Sequence, residues 1–178
     1  MPTYHFPAEA GAPLPDTRPE SIAAVLDRLG LPQDGLRITR RGEAVTLDGS
    51  VADAGAKELL ILAIGNLAGI AQVRDRLAAG PAPGLLDTLG AFARLPTGAA
   101  GTEAAATTIH AAEPEAGTRF GPAGSLFHVL GPEESLADVA ARHYGDAGAE
   151  ARLLEANAPV IADAAAARPG MVLRIPPR

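Results

Sequence analysis

Six consecutive apolar residues, Leu59-Leu60-Ile61-Leu62-Ala63-Ile64, constrain this chain more than any other feature. They follow Asp53, whose short carboxylate suits a helix N-cap, and they end at Gly65. A helix that is apolar nearly all round has no face to offer water, so it belongs inside a domain. The run is far too short to span a bilayer. Directly behind it lies "GNLAGIA", residues 65–71, which has no charged side chain, no histidine and no hydroxyl.

The neighbouring segments supply the walls such a helix needs. In "TRPESIAAVLDRLGL", Thr17 and Glu20 have capping-box spacing, a proline sits in the first turn, and Ile22, Val25, Leu26 and Leu29 recur at helical period. "LRITRRGEAVTLDGSV" alternates Leu36 and Ile38, turns at Arg41-Gly42, and resumes with Val45 and Leu47, the pattern of a half-buried hairpin. Ile70 and Val73 predict a third strand that ends where "RDR", residues 74–76, returns to the surface. Helix, strand, strand, helix, strand makes a two-layer α/β sandwich.

Composition changes at residue 81. Residues 81–124 are rich in Ala, Gly, Pro and Thr and read as a linker, interrupted by one apolar island from Leu85 to Leu95. Order is expected again from Ser125: "LFHVL" as a strand, "EESLADVAARHYG" as a helix, "AEARLLEAN" as a second helix and "MVLRIP" as a closing strand. The fold class is therefore α+β in two small domains, with boundaries at 1–80, 81–124 and 125–178.

Charge and residue types exclude several functions. The net charge is −6 and the basic residues are scattered, so no basic stripe for nucleic acid is visible. With no cysteine, disulfides and thiolate metal sites are impossible. His5, His110, His128 and His143 lack zinc-ligand spacing, and Glu133-Glu134 read as a charged first turn. Asp75 and Asp87 read as solvated surface, and no nucleophile motif or phosphate loop is present, so the chain is not expected to be an enzyme. The first residues lack the basic and apolar regions of a signal peptide, which leads to a cytoplasmic, soluble expectation without a transmembrane segment.

Two resemblances add to this reading. Residues 125–177 resemble a LysM domain (βααβ): "FHVLGPEESLADVAARHYGD", then "LLEAN" and "RPGMVLRIP", follow that family's strand, capped helix, Tyr-Gly, Asn and Pro-Gly-x-x-Leu-x-Ile-Pro pattern. Residues 17–78 resemble a BON domain, most clearly in "ILAIGNLAGIAQVRDRL". In this order, and behind Phe6-Pro7-Ala8-Glu9-Ala10-Gly11, the chain resembles the bacterial cytosolic potassium-binding proteins, from which Tyr4, Pro13, Pro15 and the long linker depart.

That resemblance implies one potassium ion held by the main-chain carbonyls of Pro7, Ala10, Ala12, Gly65, Leu67 and Ile70. Neutral carbonyl dipoles can replace the water shell of a large monovalent cation without the charge that favours divalent ions. A helix end supplies such oxygens, and Gly65 and Gly69 are expected to provide the dihedrals that let them converge. It further implies a potassium sensor in which binding orders the BON domain and its contact with LysM. Two other functions stay open. One is an envelope module, with BON on phospholipid or a protein and LysM on peptidoglycan through "GPEES" and "NAPVIADAAAARPG", where Glu133 replaces a usual glycine. The other is a scaffold that binds a protein partner.

Overall fold

The computed structural model describes residues 2–14, 16, 18–80, 118–122 and 124–177. The first sheet is built from β1 (Thr3–His5), β2 (Arg37–Arg41), β3 (Ala44–Val51) and β4 (Gln72–Ala79), with helices α1 (Pro19–Arg28) and α2 (Ala54–Gly65). Its strand order is β1-β4-β3-β2. β2 and β3 form the hairpin, closing at Arg41 opposite Ala44 around Gly42, whose φ of 61 suits the tight two-residue turn. β3 and β4 run parallel, because the chain must cross over through α2 to re-enter the sheet. β1 pairs antiparallel with β4, Tyr4 opposite Val73, and adds an edge strand that periodicity did not predict in so short a segment.

Alternation divides this sheet cleanly. Tyr4, Val45, Leu47, Val73 and Leu77 are buried against the helices, with Ile22 and Leu26 of α1 and Leu60, Ile61 and Ile64 of α2. The opposite face is open, and period two gathers Arg37, Arg41, Arg74 and Arg76 there although they are scattered in the sequence. β4 therefore runs straight through Arg74-Asp75-Arg76 instead of stopping before it. The same alternation turns Asp75 inward, 2% exposed, where it pairs with Lys57 Nζ at 2.9 Å. The solvated-surface reading of Asp75 is thus corrected, and Asp87 lies outside the described residues.

The second sheet holds β5 (Thr118–Phe120), β6 (Leu126–Val129) and β7 (Val172–Ile175), antiparallel in the order β5-β6-β7. β5 falls inside the stretch read as linker, so ordered structure begins before residue 125. Helices α3 (Leu136–Tyr144) and α4 (Glu150–Asn157) lie between β6 and β7 in the chain. Their core comprises Leu130, Leu136, Val139, Ala140, Leu153, Ile161, Met171, Leu173 and Ile175.

Both sheets bear on α2. In register, Phe127 sits opposite Arg174 and Val129 opposite Val172, and this face of the second sheet is turned to α2. Phe127 and Val172 join the first core, and the Phe127 ring lies 5.5 Å from that of Tyr4. The other face carries Leu173 and Ile175 toward α3 and α4. α2 is consequently sandwiched between two sheets, which is the physical reason it can be apolar all round. Glu58, 0% exposed on α2, is held there by Arg174 Nε at 2.6 Å.

Helix starts show where local signals were misread. Asp53 caps α2, accepting from the Ala56 N–H at 2.8 Å. α1 begins at Pro19 with Arg18 at the N-cap and no side-chain cap bond from it; Thr17, the expected member of a capping box, lies outside the described residues. Asp16 ties this turn, accepting from the Arg18 N–H at 2.8 Å and from Ser21 Oγ at 2.5 Å. Ser135 and Asp138 form the capping box of α3, which leaves Glu133 and Glu134 ahead of the helix. The Leu85–Leu95 island lies outside the described residues. Among those described, no helix is long and apolar enough to cross a membrane.

Candidate functional site

The end of α2 is where distant segments meet. Asn66 takes the C-cap position, and its N–H still reaches Leu62 O at 2.9 Å. Beyond it the amides leave the helical path: Ala68 N–H donates to Ala12 O and Gly69 N–H to Ala8 O, each at 2.8 Å. In return Ala12 N–H donates to Asn66 O at 2.8 Å, and Ala12 and Leu67 form a parallel bridge. Residues 8–12 are thereby laced to residues 66–69. A Cβ on Gly11 would meet the backbone of Leu67, Ala68 and Asn66, so only glycine permits this approach.

Gly65 and Gly69 differ in why they are glycine. Gly69 has φ +78, the left-handed region that disfavours other residues. Gly65 does not have positive φ; a Cβ there would collide with the Phe6 ring. The dihedral expectation for Gly65 is corrected: the position makes room for a side chain. Phe6 itself is 7% exposed and donates its N–H to Ala71 O at 3.0 Å.

The six carbonyls fall into two groups. Those of Pro7, Ala12 and Leu67 already accept from Ala10, Ala68 and Ile70 amides, at 3.1, 2.8 and 3.2 Å. Each keeps a second lone pair. Those of Ala10, Gly65 and Ile70 meet no donor among the described residues. For Gly65 the cause is plain, since Ala68 and Gly69, the amides that would have closed the last turn, are taken by Ala12 and Ala8. That oxygen lies at the C-terminal, partially negative end of α2. At the outer edge of the loop Arg40 Nη2 donates to Gly69 O at 3.0 Å and Arg40 Nε to Gly42 O at 2.9 Å. Among the described residues no group of three or more His, Asp or Glu could hold a metal ion. The donor chemistry fits a weakly hydrated monovalent ion better than a divalent one.

Residues outside the sequence-derived set complete the surroundings. Asn66 is 4% exposed, and its side chain clasps β7: Oδ1 accepts from Val172 N–H at 2.8 Å and Nδ2 donates to Val172 O at 2.9 Å. Gly170 abuts Ala10, close enough that a Cβ on the glycine would strike the Ala10 methyl. A lone amide inside "GNLAGIA" was the available signal for Asn66; nothing in the sequence tied it to residue 172. Tyr4, on the adjoining strand, has its hydroxyl pKa pushed up to about 12, first by burial and then by the negative charges of Asp75 and Glu58.

A second polar cluster lies on the C-terminal unit. His128, 3% exposed, shares a 2.7 Å hydrogen bond between Nε2 and Glu134 Oε2, which also accepts from Gly131 N–H at 3.0 Å. Arg142 Nη1 lies 2.5 Å from Glu134 Oε1. Burial opposes the Glu134 charge, but hydrogen bonds from His128 and Gly131, with the charges of His128 and Arg142, hold its pKa below the ordinary glutamate value. Beside them is a cleft of about 540 Å³, bordered by Pro132, Glu133 and Asp138.

Comparison with known families bears on the segment that carries the α2 loop. A model described as a BON-like domain matches residues 36–81, which span β2, β3, α2 and β4. Residues 36–81 are a BON-like domain. β1, α1 and the segment 8–12 that closes the loop lie N-terminal to the matched residues. No curated protein matches the chain significantly.

Proposed function

We propose that this chain is a cytoplasmic potassium-binding protein in which backbone carbonyls near the C-terminal end of α2 take the ion. Residues Pro7, Ala10 and Ala12 would contribute from the N-terminal segment, and Gly65, Leu67 and Ile70 from the BON-like domain. The ion would supply positive charge at the partially negative C-terminal end of α2, and so tie the two segments together. The observation that carries this reading is the lacing of residues 8–12 to residues 66–69, which leaves the Gly65 carbonyl without its helical donors. In this reading residues 125–178 are a LysM unit whose contact with α2 is stabilised when the ion is bound.

An ion that binds only the ordered form raises stability by mass action, about 2.7 kcal/mol at a hundredfold excess over Kd. The test is the melting temperature in matched potassium and sodium chloride. A higher value in potassium is expected, and Gly69→Val should abolish the difference, since a β-branched residue resists the φ of +78. Equal melting temperatures in the two salts refute the proposal. Greater stabilisation by calcium would refute it too, by pointing to carboxylate ligands.

A second reading, recognition of N-acetylglucosamine polymers, draws on the polar cleft beside Gly131–Glu134. It uses only the first of the two loops such a groove requires. Retention on purified peptidoglycan supports it, and flow-through removes it.

A further inference from the structure

Asn66 belongs at once to the loop that closes over residues 8–12 and to the seat of the C-terminal unit. Its main-chain oxygen accepts from Ala12 and its side chain makes both hydrogen bonds with Val172. The next two contacts point the same way: Ala68 and Gly69 amides continue the lacing to Ala12 and Ala8, while Ala10 packs on Gly170, two residues before Val172. A buried amide with both of its polar atoms matched to one backbone residue cannot turn without abandoning a donor and an acceptor in a dry environment. Its own backbone, and with it the Asn66 carbonyl, is thereby held in one orientation.

We infer that Asn66 is the positioning residue through which docking of the C-terminal unit on α2 sets the order of the N-terminal segment, and with it the strength of cation binding at the α2 loop. The coupling runs both ways, because a contact that stabilises the docked form favours the closed segment and the reverse must hold equally. The ion arm of this inference rests on the function proposed above; the structural arm does not. Docking has a second anchor far from the loop. Glu58 and Arg174 join α2 to β7 eight positions before Asn66, about 12 Å along the helix at its usual rise. Weakening that anchor leaves Asn66 and every candidate carbonyl untouched, yet the coupling requires it to loosen residues 8–12.

The test uses the full chain and two readouts, amide hydrogen exchange at Ala12, Ala68 and Gly69, and the difference in melting temperature between potassium and sodium chloride. Asn66→Ala and Glu58→Gln are compared with Tyr144→Phe, which removes the 2.9 Å bond from Tyr144 to Pro176 O on the far side of the C-terminal unit. The expected result is about tenfold faster exchange at the three loop amides in both test variants, the loss of one buried hydrogen bond's worth of protection. The potassium increment should shrink by about half or more, in proportion to the lost order. Tyr144→Phe should leave both readouts at wild-type values. If Asn66→Ala does not fold, Glu58→Gln decides alone by the same readouts. Unchanged loop exchange in the folded variants overturns the inference. A wild-type protein indifferent to potassium overturns the proposed function instead, and the exchange data still judge the coupling.

Discussion

Replacing Gly65 with alanine in two backgrounds, wild type and Phe6→Ala, separates the two reasons a helix can end in glycine. In the wild type the new Cβ falls within the Phe6 ring, so the ring must leave a site where it is 7% exposed. Burying a phenylalanine is worth about 1.5–3 kcal/mol. Against this stands a gain of about 0.5–1 kcal/mol from replacing glycine by alanine in a helix. The net loss is about 1–2 kcal/mol, a fall in Tm of about 2–8 °C for a chain of this size. Phe6→Ala alone should cost about 3–5 kcal/mol. With the ring gone nothing opposes the methyl, and Gly65→Ala should then stabilise by up to about 1 kcal/mol. Urea unfolding of the four proteins measures this reversal of sign. Equal destabilisation in both backgrounds would show that Gly65 is needed for its backbone, and that the steric account of how Phe6 seats the N-terminal segment is wrong.

Two ionisable groups give pH tests. The hydroxyl of Tyr4 has its folded pKa raised above the ordinary 10.0 to about 12, so the stability it represents is present below pH 10 and is lost as pH rises toward 12. Tyr4→Phe should abolish that alkaline loss, on the order of 2 kcal/mol, in urea unfolding compared at about pH 9 and about pH 11.5; an identical slope in the variant refutes the assignment. Glu134 has a depressed pKa, so its contribution is present above the ordinary glutamate value of 4.5 and is lost as pH falls through the lower folded value. Glu134→Gln should lower the midpoint at neutral pH and flatten the acid limb below about pH 4.5; parallel acid limbs would show that Glu134 is not the group responsible.

Much of the fold was legible because local periodicity reports which residues need cover. The Val45 and Leu47 alternation, the Asp53 cap and the apolar run of α2 each correspond to an observed element. Asp75 was misread because a charged triplet resembles a surface loop, whereas period two within an eight-residue strand must point its middle member inward. β1 was missed because three residues carry too little pattern, and its register comes from β4.

The sequence by itself determined that α2 must be enclosed and that "GNLAGIA" offers backbone and little else. Only the tertiary structure decided what does the enclosing. Asn66 meets Val172 across 106 positions and Glu58 meets Arg174 across 116, and Gly65 is small because of a ring sixty residues earlier by approximate count. Local chemistry encodes that a face is apolar or an amide unpaired, but many partners could satisfy either need. Which one does so depends on the packing of both sheets around one helix, and that choice exists only once the chain is folded.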